Sequence, residues 1–216
     1  MKFLKSGDEV SAGDFKLTIE GFLGKGKSGY SYKASLGREL FVFKKMHNEQ
    51  VGYYNFSENK ISLERKSYFI LEKTGIKIPK LLFTDEEKGC LVKEYIDGLN
   101  GMELIIFSPD IEPFISQLCE MYKLAKKAGI NIDYFPPNFV ADNNGILHYI
   151  DYEHNIYSFE WGLEYWGLYY WANKAGIQKF SEQGDPSFIN NPPNSGIPLK
   201  EPFRERVNSW INDYLK

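Results

Sequence analysis

Cysteine is scarce: it occurs twice in 216 residues, as Cys90 and Cys119. These make neither the paired spacing of a zinc site nor a disulfide framework, so two reduced thiols in a cytoplasmic protein are expected. Histidine occurs three times, as His47, His148 and His154, without ligand spacing. No apolar run approaches the roughly 18 residues of a membrane span, so no membrane partner is expected. Met1 to Asp8 has no apolar stretch, so no signal peptide is expected. A formal net charge of −3 gives no electrostatic basis for general nucleic-acid or membrane binding. No internal repeat is evident. What is abundant is aromatic: 16% of residues are Phe, Tyr or Trp, which predicts a core built on rings. Hydrophobic residues at 43% and charged residues at 25% are ordinary for a globular protein of one large domain or two small lobes.

The first part of the chain is β-rich. Phe15 to Glu20 alternates apolar and polar at period two, Gly29 to Ser35 is strand-like, and Leu40 to Lys45 is an apolar strand after a turn at 36–39. Asn59 to Thr74 predicts the one main helix, closed by Gly75 and barred from continuing by Pro79. Leu81–Phe83 and Cys90–Val92 flank a polar turn and predict a hairpin. Asp97 to Gly101 reads as a short flexible joint. Beyond it the pattern is mostly helical: Ile111 to Ala128, an aromatic helix over 158–175, and Arg204 to Leu215. Two short strands, Phe139-Val140 and Leu147–Ile150, and a long loop over 181–202 rich in Gly, Pro, Asn and Ser lie among them. The expected class is α+β, with a β-rich lobe at 1–93, a hinge at 94–101, and a short, mostly helical lobe at 102–216.

One glycine cluster satisfies two motifs. Residues 21–28 fit G-x-x-x-x-G-K-[ST], and Gly24, Gly26 and Gly29 fit G-x-G-x-x-G. The first needs a helix directly after it, whose N-terminal amides bind phosphate. Here Gly29 leads into an alternating, β-favouring segment, so the strand–loop–strand reading is preferred.

Further blocks follow in order. Val42 and Lys44 share a face of an apolar strand, with Lys45 the alternative to Lys44. Glu64 lies on the following helix. Leu91 to Gly98 is a strand running into a joint. Asp133 and Asn138 lie five apart, and Asp151 lies thirteen beyond Asn138. Order and spacing together resemble the protein-kinase-like superfamily across residues 15 to about 175. The nearest resemblance is to its small atypical members, the RIO and Bud32-type kinases and the aminoglycoside or choline phosphotransferases. Gly75-Ile76-Lys77-Ile78-Pro79 and Ile150-Asp151-Tyr152-Glu153 look like segments of the phosphotransferase group.

The resemblance implies a bilobal kinase-like fold that uses ATP and Mg²⁺. Gly24, Gly26 and Gly29 would cover the phosphates. Val42 would roof the adenine, and Lys44, paired with Glu64, would reach the α- and β-phosphates. The carbonyl of Glu94 and the amide of Ile96 would read the adenine edge. Asn138 and Asp151 would hold Mg²⁺, and Asp133 would orient and deprotonate the acceptor hydroxyl. The expected activity is an atypical serine/threonine protein kinase. The alternatives are a small-molecule phosphotransferase, or a nucleotide-binding pseudokinase acting through partners. Three residues depart from the family pattern: Asn131 replaces a histidine, Phe135 replaces a lysine or histidine, and Lys93 puts a charge behind the adenine pocket. No A-P-E motif follows Asp151, and only 65 residues remain after it, too few for a full substrate platform. The dense run Phe159 to Trp171 is expected to be a buried helix.

Overall fold

A computed structural model describes residues 3–47, 49 and 59–216. The chain is α+β and divides into two compact units. One comprises Met1–Ile70 and Pro79–Tyr95, and the other Leu71–Ile78 and Ile96–Lys216.

The first unit is built on a six-stranded antiparallel sheet. Its strands are β1 (Glu9–Ala12), β2 (Phe15–Lys25), β3 (Gly29–Leu36), β4 (Glu39–Met46), β5 (Leu81–Asp85) and β6 (Cys90–Glu94), in the spatial order β1-β2-β3-β4-β6-β5. Period-two patterning sends Leu17, Ile19, Tyr32, Ala34, Phe41 and Phe43 into one core. β4 lies inside the sheet with four consecutive buried residues, Phe41 to Lys44. Helix α1 (Lys60–Thr74) begins where Asn59 Oδ1 accepts from the amides of Ile61 at 2.9 Å and Ser62 at 3.3 Å.

The second unit packs around rings, with Trp171, Trp210, Tyr122, Tyr134, Tyr149 and Phe139 among its fully buried side chains. Its elements are β7 (Gly98–Asn100), α2 (Gly101–Phe107), α3 (Glu112–Lys127), β8 (Ile130–Asn131), β9 (Phe139–Asp142), β10 (Leu147–Tyr149), β11 (Asn155–Ile156), α4 (Leu168–Ala172), α5 (Lys174–Gln183) and α6 (Arg204–Tyr214). β7, β9 and β10 form one small antiparallel sheet, and β8 pairs with β11. The buried positions of α3, Ile115, Leu118, Cys119, Met121, Tyr122 and Ala125, recur at helical spacing. Glu112 ties α6 to α3 by accepting from Trp210 Nε1 at 2.8 Å and Tyr214 OH at 3.0 Å. Among the described residues no helix is long and apolar enough to cross a membrane.

The structure differs from the sequence reading in several places. The segment read as a flexible joint is ordered: Gly98 to Asn100 is a strand, and Asn100 caps α2 in a reciprocal box with Glu103. Gly98 serves close approach, since a Cβ there would lie 1.8 Å from the Ala141 carbonyl oxygen. The boundary falls at Tyr95/Ile96, and Leu71–Ile78 joins the second unit because Leu71 and Ile76 are buried in its core. The aromatic run is broken into a 3₁₀ turn at Phe159–Trp161, a π-helical turn at Leu163–Gly167, and α4. Gly167 lets the chain pass against Tyr134, and Asn173 ends the run by capping α5 through the Gly176 amide. The long loop begins only after α5. It is tied back on itself by the Asn191 amide donating to Ile197 O, and the Leu199 amide to Ile189 O, each at 2.9 Å.

Candidate functional site

In the first unit β4 decides where the polar residues lie. Phe41 and Phe43 turn into the core, so Val42 and Lys44 share the other face. Antiparallel register sets Lys93 of β6 opposite Val42, on that same face. Lys44, Lys93 and Glu64 are buried, at 7%, 6% and 8% exposure. The Lys44 ammonium forms an ion pair with Glu64 Oε1. Ser28 Oγ donates to the same oxygen at 2.7 Å. Glu64 Oε2 is buried without a hydrogen-bond partner among the described residues. Lys45 is directed elsewhere, its ammonium donating to the Lys88 carbonyl. Between the two candidates, Lys44 is therefore the one that meets Glu64.

The glycine loop turns between two strands. Gly26 N–H donates to Gly29 O at 2.9 Å, and β3 begins at Gly29. The absence of a helix here removes the structural condition of the Walker A reading. His47 and Lys60, which the sequence did not single out, brace this turn. His47 Nε2 lies 3.1 Å from Gly26 O, and His47 N–H donates to Ser28 O at 3.1 Å. The Lys60 ammonium donates to the carbonyls of His47 and Ser28. Burial pulls the Lys60 ammonium below its ordinary pKa, with Glu49 opposing and Lys44 reinforcing the shift. Nothing in the flanking sequence distinguishes Lys60 from any helix-start lysine.

The three glycines do different things. A Cβ at Gly29 would sit 2.6 Å from the Lys45 carbonyl oxygen, so packing alone demands glycine. A Cβ at Gly24 would meet nothing within 4 Å, and at Gly26 only Gly29 O at 3.8 Å. Gly29→Ala is expected to lower thermal stability by about 1–3 kcal/mol through forced backbone displacement, while Gly24→Ala stays within about 0.5 kcal/mol of wild type. Thermal melts of the two variants check this. Equal destabilisation would show that Gly24 too is set by packing.

Glu94 and Ile96 lie at the end of the first unit and the start of the second. Glu94 N–H donates to Lys80 O at 2.9 Å, and its carboxylate accepts from Lys80 N–H at 3.1 Å. The Lys33 ammonium lies 4.6 Å from the centre of the Tyr95 ring, which steadies the strand end.

In the second unit Asp133, Asn138 and Asp151 are drawn together by backbone. Asp133 Oδ1 accepts from Phe135 N–H at 3.1 Å, an Asx turn that leads into the 3₁₀ turn Pro136–Asn138. Asn138 Nδ2 donates to Asp133 O at 3.3 Å, which commits the amide nitrogen and turns Oδ1 away from that carbonyl. Ile150 N–H donates to Asn138 O at 2.8 Å, bringing Asp151 beside the turn. Asp151 Oδ1 accepts from Tyr152 N–H at 2.9 Å.

In this unit Tyr149 is a bracing residue that sequence reasoning missed. Its hydroxyl accepts from Asp133 N–H at 3.3 Å and donates to Glu153 O at 2.9 Å, bracing both acidic segments at once. Burial, then the charges of Asp151 and Asp133, hold this phenol well above its ordinary pKa. The alternating pattern of β10 marked Tyr149 only as an apolar, inward position.

Asn131 and Phe135, two of the residues singled out in the sequence, have structural partners. Asn131 Nδ2 donates to Ser158 O at 2.7 Å, while its Oδ1 is buried without a partner among the described residues. Phe135 packs edge-on against Tyr170 and Phe180, at 5.0 and 6.3 Å between ring centres. Its position is apolar through packing.

Among the described residues no group of three or more His, Cys, Asp or Glu side chains is arranged to hold a metal ion. Asp151 and Asn138 offer one carboxylate and one amide oxygen. Such a hard-oxygen pair suits Mg²⁺, which takes few protein ligands and completes its shell with phosphate oxygens and water.

No protein-family model matches the chain, and no curated protein matches it in sequence.

Proposed function

We propose that the chain is an ATP-dependent phosphotransferase with a bilobal protein-kinase-like fold, transferring the γ-phosphate of Mg-ATP to a hydroxyl, with protein serine or threonine as the acceptor class. The observation that carries this reading is the buried Lys44–Glu64 pair tied by Ser28 to a glycine loop. A lysine so held presents a fixed positive charge to a polyphosphate. Gly24, where packing places no demand for glycine, supports close approach of a ligand to the backbone.

In the proposed reaction the loop amides and Lys44 bind and orient the phosphates. Val42 and the 94–96 backbone position the base. Asn138 and Asp151 would hold Mg²⁺, which neutralises charge on the phosphate oxygens when bound. Asp133 takes the proton of the acceptor hydroxyl. The acceptor oxygen–phosphorus bond forms as the bond from the γ-phosphorus to the β,γ-bridging oxygen breaks, and ADP leaves. The packing of Phe135 favours a second reading, nucleotide binding without transfer, because no cation stands at that position of the loop.

Mg-ATP is expected to stabilise the chain by about 2.7 kcal/mol at a hundredfold excess over its Kd. Asp151→Ala is expected to lose the magnesium-dependent part of that gain, and Gly24→Ala to weaken it without altering the unliganded melt. A thermal shift with and without magnesium reads both. A wild-type chain that shows no shift with Mg-ATP would overturn the reading. Transfer of label from γ-labelled ATP to a protein band identifies the acceptor class, whereas label on a sugar, aminoglycoside or choline would replace protein by a small molecule.

A further inference from the structure

The second unit holds a cavity of about 500 Å³ whose wall includes Trp161, Tyr165, Trp166, Tyr169, Lys200 and Arg204. That volume suits a small molecule. None of these residues takes part in the chemistry assigned above.

Three features of the cavity point to a ligand. First, Trp161 and Tyr165 leave 50% and 46% of their surfaces exposed, in a unit whose other rings, Phe107 and Phe159 apart, are buried or half-buried. Second, Tyr165 and Trp166 lie on the π-helical turn. Such turns are rare, and where they persist they frequently mark functional sites. Third, the walls are fixed. Trp166 Nε1 donates to Gly196 O at 2.7 Å, and the Tyr170 hydroxyl lies 2.7 Å from Asn190 Oδ1 and 2.9 Å from Gly196 O, which pins the 190–200 loop beside the rings. Trp161 and Trp166 meet edge to face at 5.9 Å.

Charge selects the ligand class. The Lys200 ammonium sits 3.2 Å from the centre of the Tyr165 ring and 5.2 Å from that of Tyr169. Among the described residues no carboxylate lies within ion-pair distance of it. Rings hold a cation without cancelling its charge, so Lys200 remains a donor to an incoming anion. Arg204 adds a guanidinium, the second cation of the wall, which is paired with Glu201. One carboxylate, Glu160, also lines the cavity, and with Arg204 engaged by Glu201 it is Lys200 that is left to meet a ligand. A cationic ligand would compete with Lys200 for the same ring faces. An anionic one would complete the pairing that Lys200 lacks.

We propose that this cavity binds a small anion built on a flat ring, an aromatic carboxylate or an aryl phosphate. The ring stacks on Trp161 and the anionic group meets Lys200.

The experiment is a titration of the full-length chain with benzoate, phenyl phosphate, benzyl alcohol and benzylamine. Binding is followed by the indole N–H resonance of Trp161, assigned through Trp161→Phe. At least one of the two anions is expected to bind about tenfold more tightly than benzyl alcohol, with benzylamine weakest. Which anion wins distinguishes carboxylate from phosphate. Lys200→Gln is expected to abolish the preference for the anion while keeping the melting temperature and any Mg-ATP thermal shift of the parent chain. Trp161→Ala is expected to weaken binding of every ring. Benzylamine binding as tightly as the anions, retention of the anion preference in Lys200→Gln, or a Trp161 signal that no probe moves in the folded chain would each overturn the proposal.

Discussion

Asp133→Asn is expected to lower ATP turnover by about 10²–10⁴-fold, the range for removal of a positioned general base. Its melting temperature and any Mg-ATP thermal shift should stay near those of the wild type. The substitution is nearly isosteric. The amide oxygen of asparagine can still accept from Phe135 N–H, so the Asx turn at 3.1 Å and the 3₁₀ turn after it survive. What disappears is the ability to accept a proton at neutral pH. Lys126→Ala is the matched control. Lys126 is a surface cation whose side chain is 49% exposed and lies 3.4 Å from Glu164, and surface pairs of this kind contribute about 0–1 kcal/mol. Initial rates and thermal melts on the three proteins decide the matter. Turnover retained in Asp133→Asn would remove Asp133 as the base. Wild-type protein that shows the Mg-ATP shift yet no turnover would favour the binding-only reading.

Much of the layout was legible from period and punctuation. Alternation in 15–20 marked β2 and helical spacing in 111–128 marked α3, because each buries one regular face, while an apolar run at 40–45 marked β4, which is buried on both. The reading failed where glycine and aromatics carried tertiary meaning. Gly98 read as freedom but serves the contact with Ala141, a fact that depends on β9, more than forty residues away. The aromatic run read as one helix because its rings recur at helical spacing. Its break depends on Gly167 passing Tyr134, which local sequence does not encode.

For the candidate site, order and spacing singled out Lys44, Glu64, Asp133, Asn138 and Asp151. They missed what braces those residues. Tyr149, His47 and Lys60 act through backbone carbonyls and amides, and such partners leave no side-chain pattern to read. Glu64 taken alone looked like any solvated helix charge. Its meaning lies in 8% exposure and in Lys44, which only the folded chain brings to it.

That pair supports the second large prediction. Glu64→Ala is expected to destabilise the chain by about 3–5 kcal/mol, because it strips a buried ammonium of its carboxylate. Loss of the acceptor for Ser28 Oγ adds to the penalty, at about 1 kcal/mol. Lys44→Met combined with Glu64→Leu is expected to recover most of this. A buried ion pair replaced by apolar side chains of similar volume is often neutral or stabilising, since two desolvated charges vanish together. Stability and function should then part company: the double variant folds, yet the Mg-ATP shift does not return, because no charge remains to meet the phosphates. Denaturant unfolding and thermal shift on the wild type, Glu64→Ala and the double variant measure both. A double variant as unstable as Glu64→Ala would show that burial of the charges was not the source of the cost. One that regains the shift would separate the pair from phosphate binding. The recovered stability without recovered binding is the result that distinguishes a pair held for a ligand from one held for the fold, because only the ligand needs the charge.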